Sequence, residues 1–179
     1  VDDVNIKKFN LKVLRDKISF TPQKAILFQG SVKSNMQIGK SDATDYEINE
    51  ALSLAQVDFV ENLEEEVTQG GSNFSGGQKQ RLSIARSIIG HHEFYLFDDC
   101  FSALDMNTER KIKDNLKNLN ESSILIVSQR ISTIMDADEI IVIDNGELID
   151  KGTHESLVEN CEIYREIANT QIDTMEVAL

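Results

Sequence analysis

The stretch Asn73-Phe-Ser-Gly-Gly-Gln-Lys-Gln-Arg81, NFSGGQKQR, decides how this chain is read. Apolar residues Leu82, Ala85, Ile88 and Ile89 follow it at helical spacing, so a helix begins inside it. With Ser75 as N-cap, Gln78 falls at the third helical position, which makes a capping box. Gly76 and Gly77 then occupy the first turn, where each costs up to about 1 kcal/mol against alanine. Two residues without Cβ let a ligand approach the free N–H groups at the positive end of a helix, and phosphate is the ligand such a tip favours. SGGQ alone fits an ordinary glycine-containing helix start equally well.

The following segments separate these two readings. Phe94-Tyr-Leu-Phe97 is a short all-apolar run, the pattern of a strand buried on both faces. It runs into Asp98-Asp99, and Asp98 stands 17 positions after Arg81. Ligands of an open α/β sheet sit beyond the carboxyl ends of its strands, so both acids face a site there. Asp98 is suited to hold Mg²⁺ through water, and Asp99 to act on a nucleophilic water. A lone acidic pair after a strand is commonly a solvated turn. Between SGGQKQR and Ser102-Ala-Leu-Asp105 a pair at this place points to a site.

The rest of the chain fits an α/β domain. Its 179 residues are 40% hydrophobic, enough for one packed core. The net charge of −13 argues against a nucleic-acid partner, because no basic stripe offsets it. The longest apolar runs are strand-sized, so no membrane span is expected. Cys100 and Cys161 match no metal spacing. Lys17–Thr21 reads as a strand stopped by Pro22. Asp45–Gln56 reads as a helix with Ile48, Ala51, Leu52 and Ala55 on one face, and 57–63 as a second short helix. Helix 75–89, strand 94–97, helix 105–119 and strand 123–128 follow. Strand 139–144 turns at Asn145-Gly146 into 147–149, Thr153 caps a helix, and a last helix covers 163–172. Strands alternating with helices predict a mainly parallel sheet. Ser34-Asn-Met-Gln-Ile-Gly-Lys-Ser41 ends in the letters of a phosphate loop, but Ser34 stands where that loop needs glycine and no buried strand enters it. It reads as a surface turn.

With these segments in place, the chain resembles the nucleotide-binding domain of an ABC transporter, of the exporter type, over nearly its whole length. Gln23, in Thr21-Pro-Gln-Lys24, matches the Q-loop glutamine, which in that family reaches Mg²⁺ and the attacking water. FSGGQ matches the family signature, with Phe74 where leucine is usual; Asp98 matches the Walker B aspartate. Ser102-Ala-Leu-Asp105 matches the D-loop, and Ile126–Thr133 the H-loop segment. Asn145–His154 matches the closing hairpin and helix, where His154 is structural. The resemblance implies a P-loop NTPase (RecA-like) fold for residues 1–179, with a helical subdomain over about 31–90. It also implies ATP and Mg²⁺ as cofactors. The expected cofactor-binding residues are Ser75, Gly76, Gly77, Gln78, Ser102 and Asp105. Asp98 and Gln23 are expected at the metal, and Asp99, Gln129 and Gln23 at the chemistry.

The departures from the family pattern carry as much meaning. The adenine-stacking aromatic and the Walker A loop belong upstream of Val1, so an N-terminally truncated domain is expected, weak in ATP binding and without turnover by itself. Asp99 stands where glutamate is usual, and aspartate is one methylene shorter, which pulls a base back from its water. Gln129 stands where histidine is usual, and an amide cannot carry the imidazolium charge. Gln69 replaces a glutamate common in the loop ahead of the signature, so the coupling contacts stay unassigned. Together these changes resemble the degenerate-site subunit of a heterodimeric exporter, soluble in itself and placed at the cytoplasmic face of the membrane. Its partners would be a second, non-identical ABC subunit and an upstream transmembrane domain. A soluble ABC ATPase, or a non-catalytic fragment that only offers its signature face, are the alternatives.

Overall fold

The computed structural model describes residues 4–119 and 122–176. They form two compact units that part between Val127 and Ser128.

The first unit is built on a three-stranded parallel sheet. Its strands are β1 (Ile18–Thr21), β4 (Phe94–Asp98) and β5 (Ser123–Val127), in the order β1-β4-β5. Thr21 pairs with Phe97, and Phe97 with Ile126, so the strands end almost level, at Thr21, Asp98 and Val127. Helix α1 (Leu11–Lys17) leads into β1, and α5 (Met106–Leu116) joins β4 to β5. Between β1 and β4 lie α2 (Val32–Gly39), α3 (Asp45–Leu54) and α4 (Gly76–Ile88), with β2 (Gly30–Ser31) and β3 (Glu66–Val67) as a two-residue antiparallel pair. One apolar core runs from Leu27 and Met36 through Ile48, Leu82 and Ile84 to Tyr95, Phe97, Phe101 and Ile112. Ser19 on β1 donates to the Ser87 carbonyl of α4 at 2.7 Å, which fixes helix to sheet.

Three expectations need correction. Strand β4 is not buried on both faces: Tyr95 and Phe97 are buried, while Phe94 and Leu96 are half-buried. The helices of this unit cover one side, and Phe20, paired beside Leu96 on the other, is 58% exposed. Residues 57–63 form no helix. Gln56 takes a left-handed φ of 57°, and the Val57 amide closes back on the Leu52 carbonyl at 2.8 Å, which ends α3 in a Schellman-like cap. The chain beyond is irregular, with Val57, Phe59, Val60 and Leu63 packed against the core. The SNMQIGKS stretch, expected as a surface turn, is mostly helix α2, capped by Ser31 and burying Asn35 and Met36. That it is no phosphate loop holds for a structural reason. Lys40 is paired with Glu47, and a Cβ on Gly39 would lie 2.2 Å from the Arg86 carbonyl oxygen. Gly39 is there so that α2 can cross α4.

The second unit holds β6 (Ile140–Asp144) and β7 (Glu147–Gly152), an antiparallel hairpin turning at Asn145-Gly146 as the sequence predicts. Asn145 and Gly146 both take positive φ, 49° and 82°. Helices α6 (Ile131–Ile134), α7 (His154–Asn160, capped by Thr153) and α8 (Glu162–Glu176) complete it. Its own core joins Ile131, Ile140, Val142, Leu157, Cys161, Tyr164 and Ala168. His154 Nδ1 lies 2.8 Å from the Tyr164 hydroxyl and ties α7 to α8. No described helix is long and apolar enough to cross a membrane.

Gly39→Ala should destabilise the chain by about 2 kcal/mol in urea unfolding, against the gain of up to about 1 kcal/mol that alanine brings to an open helical site. Glu47 is held down at about 2 by its bond to Lys40 and those to Thr44. A depressed carboxyl stabilises the fold above its unfolded value and loses that contribution as pH falls through its folded one. The stability gap between wild type and Lys40→Met should therefore be full above the ordinary 4.5 and close as pH approaches about 2.

Candidate functional site

The carboxyl ends of β1 and β4 bring together three of the residues singled out in the sequence. Gln23 follows Pro22 directly after β1, and on the neighbouring strand Asp98 ends β4 and Asp99 begins the turn after it. Gln23 Nε2 donates to Asp99 Oδ2 at 3.0 Å across 76 residues of chain. Asp99 has a left-handed φ of 43°, which aspartate tolerates better than most residues. Its amide donates to the Val127 carbonyl at 2.8 Å, and its own carbonyl accepts from the Ser102 hydroxyl at 2.8 Å. The turn after β4 is thus fixed on both sides of Asp99, and Asp98 is left half-buried at the strand end.

The tip of α4 forms a second cluster in the same unit. The capping box is built as the sequence predicts. The Ser75 amide donates to Gln78 Oε1 at 2.8 Å, and the Gln78 amide to Ser75 Oγ at 3.3 Å. A Cβ at Gly77 would press within 3.2 Å of the Ala103 carbonyl oxygen, so this glycine lets the helix tip close on the turn that carries Ser102. A Cβ at Gly76 would meet nothing within 4 Å. The chain's own packing does not need that glycine, and it leaves the first-turn N–H groups open to something from outside. Phe74 is buried, with its ring 5.8 Å from that of Phe59. Arg81 lies over Phe59 at 4.7 Å, is bonded to the Gln56 carbonyl, and pairs with Asp58 at 2.9 Å. The irregular segment 56–59 thereby braces α4.

The remaining predicted residues fall into other roles. Asp105 is the N-cap of α5; its carboxylate accepts from the Thr108 amide at 3.0 Å, the main reason its pKa is lowered. Gln129 belongs to the second unit, where Gln171 of α8 donates to its carbonyl at 2.7 Å and accepts from the Ile131 amide at 2.8 Å. Gln171 escaped the sequence reading, as did Gln80 and Asn35. Gln80 is buried on α4, reaches the Pro22 carbonyl at 3.5 Å and bonds Cys100. Asn35 is buried on α2 and grips the Phe28 amide at 2.9 Å and its carbonyl at 2.7 Å. A polar residue on the apolar side of a helix was the only signal for either.

The donor chemistry at the strand ends fits a magnesium ion. Asp98 and the amide oxygen of Gln23 are the hard oxygen donors that Mg²⁺ takes. Among the described residues no three acidic, histidine or cysteine side chains converge. A cation held there would take one or two protein oxygens, with water and phosphate as its other ligands, as Mg²⁺ commonly does. Bound there, Mg²⁺ would neutralise charge on phosphate oxygens, and this chain's residues would supply orientation and donors.

Comparison with known proteins agrees with this geometry. The family model described as ABC transporter matches residues 1–102. An uncharacterized ABC transporter ATP-binding protein of Mycobacterium tuberculosis is 42% identical over 178 residues, 96% of this chain and 31% of that protein. The ATP-dependent lipid A-core flippase 1 of Colwellia psychrerythraea is 36% identical over 179 residues, 97% of this chain and 30% of that protein. Among solved structures, a bacterial Atm1-family ABC exporter with ATP bound superposes with a TM-score of 0.90 at 30% identity, over 96% of this chain and 31% of that one. The chain spans about a third of the length of the curated relatives it matches. It belongs to the ABC transporter family and has the α/β nucleotide-binding fold of that family's ATP-binding domains.

Cys100 is 1% exposed beside the acidic pair, and burial pushes its thiol up to about 12. Iodoacetamide at pH 8 should leave Cys100 unmodified in the folded protein and alkylate it in urea, read by peptide mass. Rapid labelling of the folded form would show the turn after β4 to be open.

Proposed function

We propose that this chain works as one half of a head-to-tail pair of nucleotide-binding domains that binds and hydrolyses ATP with Mg²⁺ to drive export. Within the chain, about 31–90 acts as the helical part bearing the signature, and the remainder as the catalytic core. The pair sits at the cytoplasmic face of a membrane, joined to membrane-spanning domains that set the substrate. Relatives named for flipping lipid A-core, for multidrug export and for export in general support this direction.

The observation that carries the reading is Gly76. Alanine would suit the helix better, and the chain's own atoms leave room for it. Glycine there keeps two N–H groups and a positive helix end accessible to a phosphate brought by another subunit. Ser75, Gly76, Gly77 and Gln78 complete that partner's site. Asp98 and Gln23 hold the cation in this chain's own site. Asp99 reaches less far than a glutamate and Gln129 carries no imidazolium charge, so hydrolysis in the own site is slow. The partner is a non-identical subunit with the missing glutamate and histidine.

In the intact assembled protein, Gly76→Ala should keep or raise the melting temperature while lowering ATP turnover by about tenfold or more, the scale of blocking preorganised phosphate donors. Unchanged turnover with an intact fold would refute the division of labour.

A further inference from the structure

The loop from Pro22 to Gly30 is held at both ends and bare in between. At its start Gln80 reaches the Pro22 carbonyl, and near its end Asn35 clamps both backbone groups of Phe28 while Leu27 is buried. Among the described residues no hydrogen bond reaches the backbone of Gln23, Lys24, Ala25 or Ile26. The contact that fastens this stretch is the bond from Gln23 Nε2 to Asp99 Oδ2, 3.0 Å long. Asp99 is well suited to be the fixed end. Its amide and its carbonyl are both engaged, and its φ of 43° aims the side chain from a backbone that has no freedom to follow.

We propose that Asp99 is a positioning residue that tethers the loop 22–30 through Gln23, and that this is the task of an aspartate at this place. An ionised carboxylate only accepts hydrogen bonds, so it selects the NH₂ side of the Gln23 amide. With its NH₂ group engaged in this way, the amide oxygen of Gln23 is the atom left to meet a cation held by Asp98. A glutamate in the same left-handed backbone would carry its carboxylate one methylene further and lose this contact. The aspartate trades reach toward a water molecule for a loop held in one orientation. The idea rests on reading this strand end as the nucleotide site, but the tether itself is a property of the nucleotide-free chain.

The test is native-state proteolysis of the intact, nucleotide-free protein. Trypsin cleavage after the exposed Lys24 is followed by mass, and each rate is divided by that of the same bond in the unfolded chain. Gln23→Ala should raise the corrected rate roughly fivefold, the size of one exposed hydrogen bond. Gln23→Glu should raise it at least as much, because two carboxylates then face each other. Adding Asp99→Asn to Gln23→Glu should bring it back to within about twofold of wild type, with the bond reversed and an amide donating to a carboxylate. Asparagine also tolerates positive φ, so the backbone is not disturbed. The proposal is overturned if Gln23→Ala leaves the rate unchanged, if the reversed pair is as labile as Gln23→Glu alone, or if cleavage inside α4 rises in parallel. No nucleotide is present, so this outcome is independent of turnover in the Gly76→Ala protein, and either idea can fail without the other.

Discussion

The closure of the α4 tip on the turn after β4 is the contact on which the rest of the first unit depends. Gly77 stands where a Cβ would crowd the Ala103 carbonyl, so the helix start and the Asp98–Asp105 segment pack backbone to backbone. Buried Gln80, one turn along the same helix, reaches the Pro22 carbonyl and Cys100. Three segments far apart in sequence, the loop after β1, the start of α4 and the turn after β4, are therefore positioned by one face of one helix. Ile84, one turn further along that face, joins the core, and Leu82 and Ala85 enter it from other sides of the helix. Packing and site geometry are one constraint here, and a change at the tip is felt at both acids.

Much of this was legible in the sequence where the signal is local. A serine three residues ahead of a glutamine announces a capping box, and the box is there. Thr153 announces the start of α7, and Asn145-Gly146 the hairpin. The parallel sheet followed from strands alternating with helices. What the sequence hid is non-local. Gln23 and Asp99 meet only because β1 and β4 are neighbours in register, and no periodicity reports that. The left-handed φ of Asp99 and Gln56 is set by the surrounding hydrogen bonds and not by residue type alone. Residues 57–63 have helical apolar spacing but bury those side chains from an irregular path, because the Schellman closure of α3 and the grip of Arg81 redirect the chain. The GKS letters misdirect for a related reason. Their glycine serves a helix crossing, and their lysine an ion pair with Glu47.

Two of the departures from the family pattern, Asp99 and Gln129, are held in unlike ways. Asp99 sits in a fully bonded turn with its carboxylate on Gln23. Gln129 is exposed at the start of the second unit, anchored through its backbone by Gln171. In the proposed division of labour the first gives a well-ordered strand end with a weak base, and the second removes a switchable charge. Neither belongs to the α4 tip, whose capping box is closed, whose Gly76 has open space beside it and whose Phe74 is buried. On that proposal a chain would lose much of its own chemistry and keep what it offers to another.

The most direct measurement is a structure of the intact protein with its partner and a non-hydrolysable ATP analogue. The account predicts the Gly76 and Gly77 N–H groups of this chain at the terminal phosphate of a nucleotide held by the partner. A tip of α4 turned away from every phosphate, or a chain that pairs only with a second copy of itself, would contradict it.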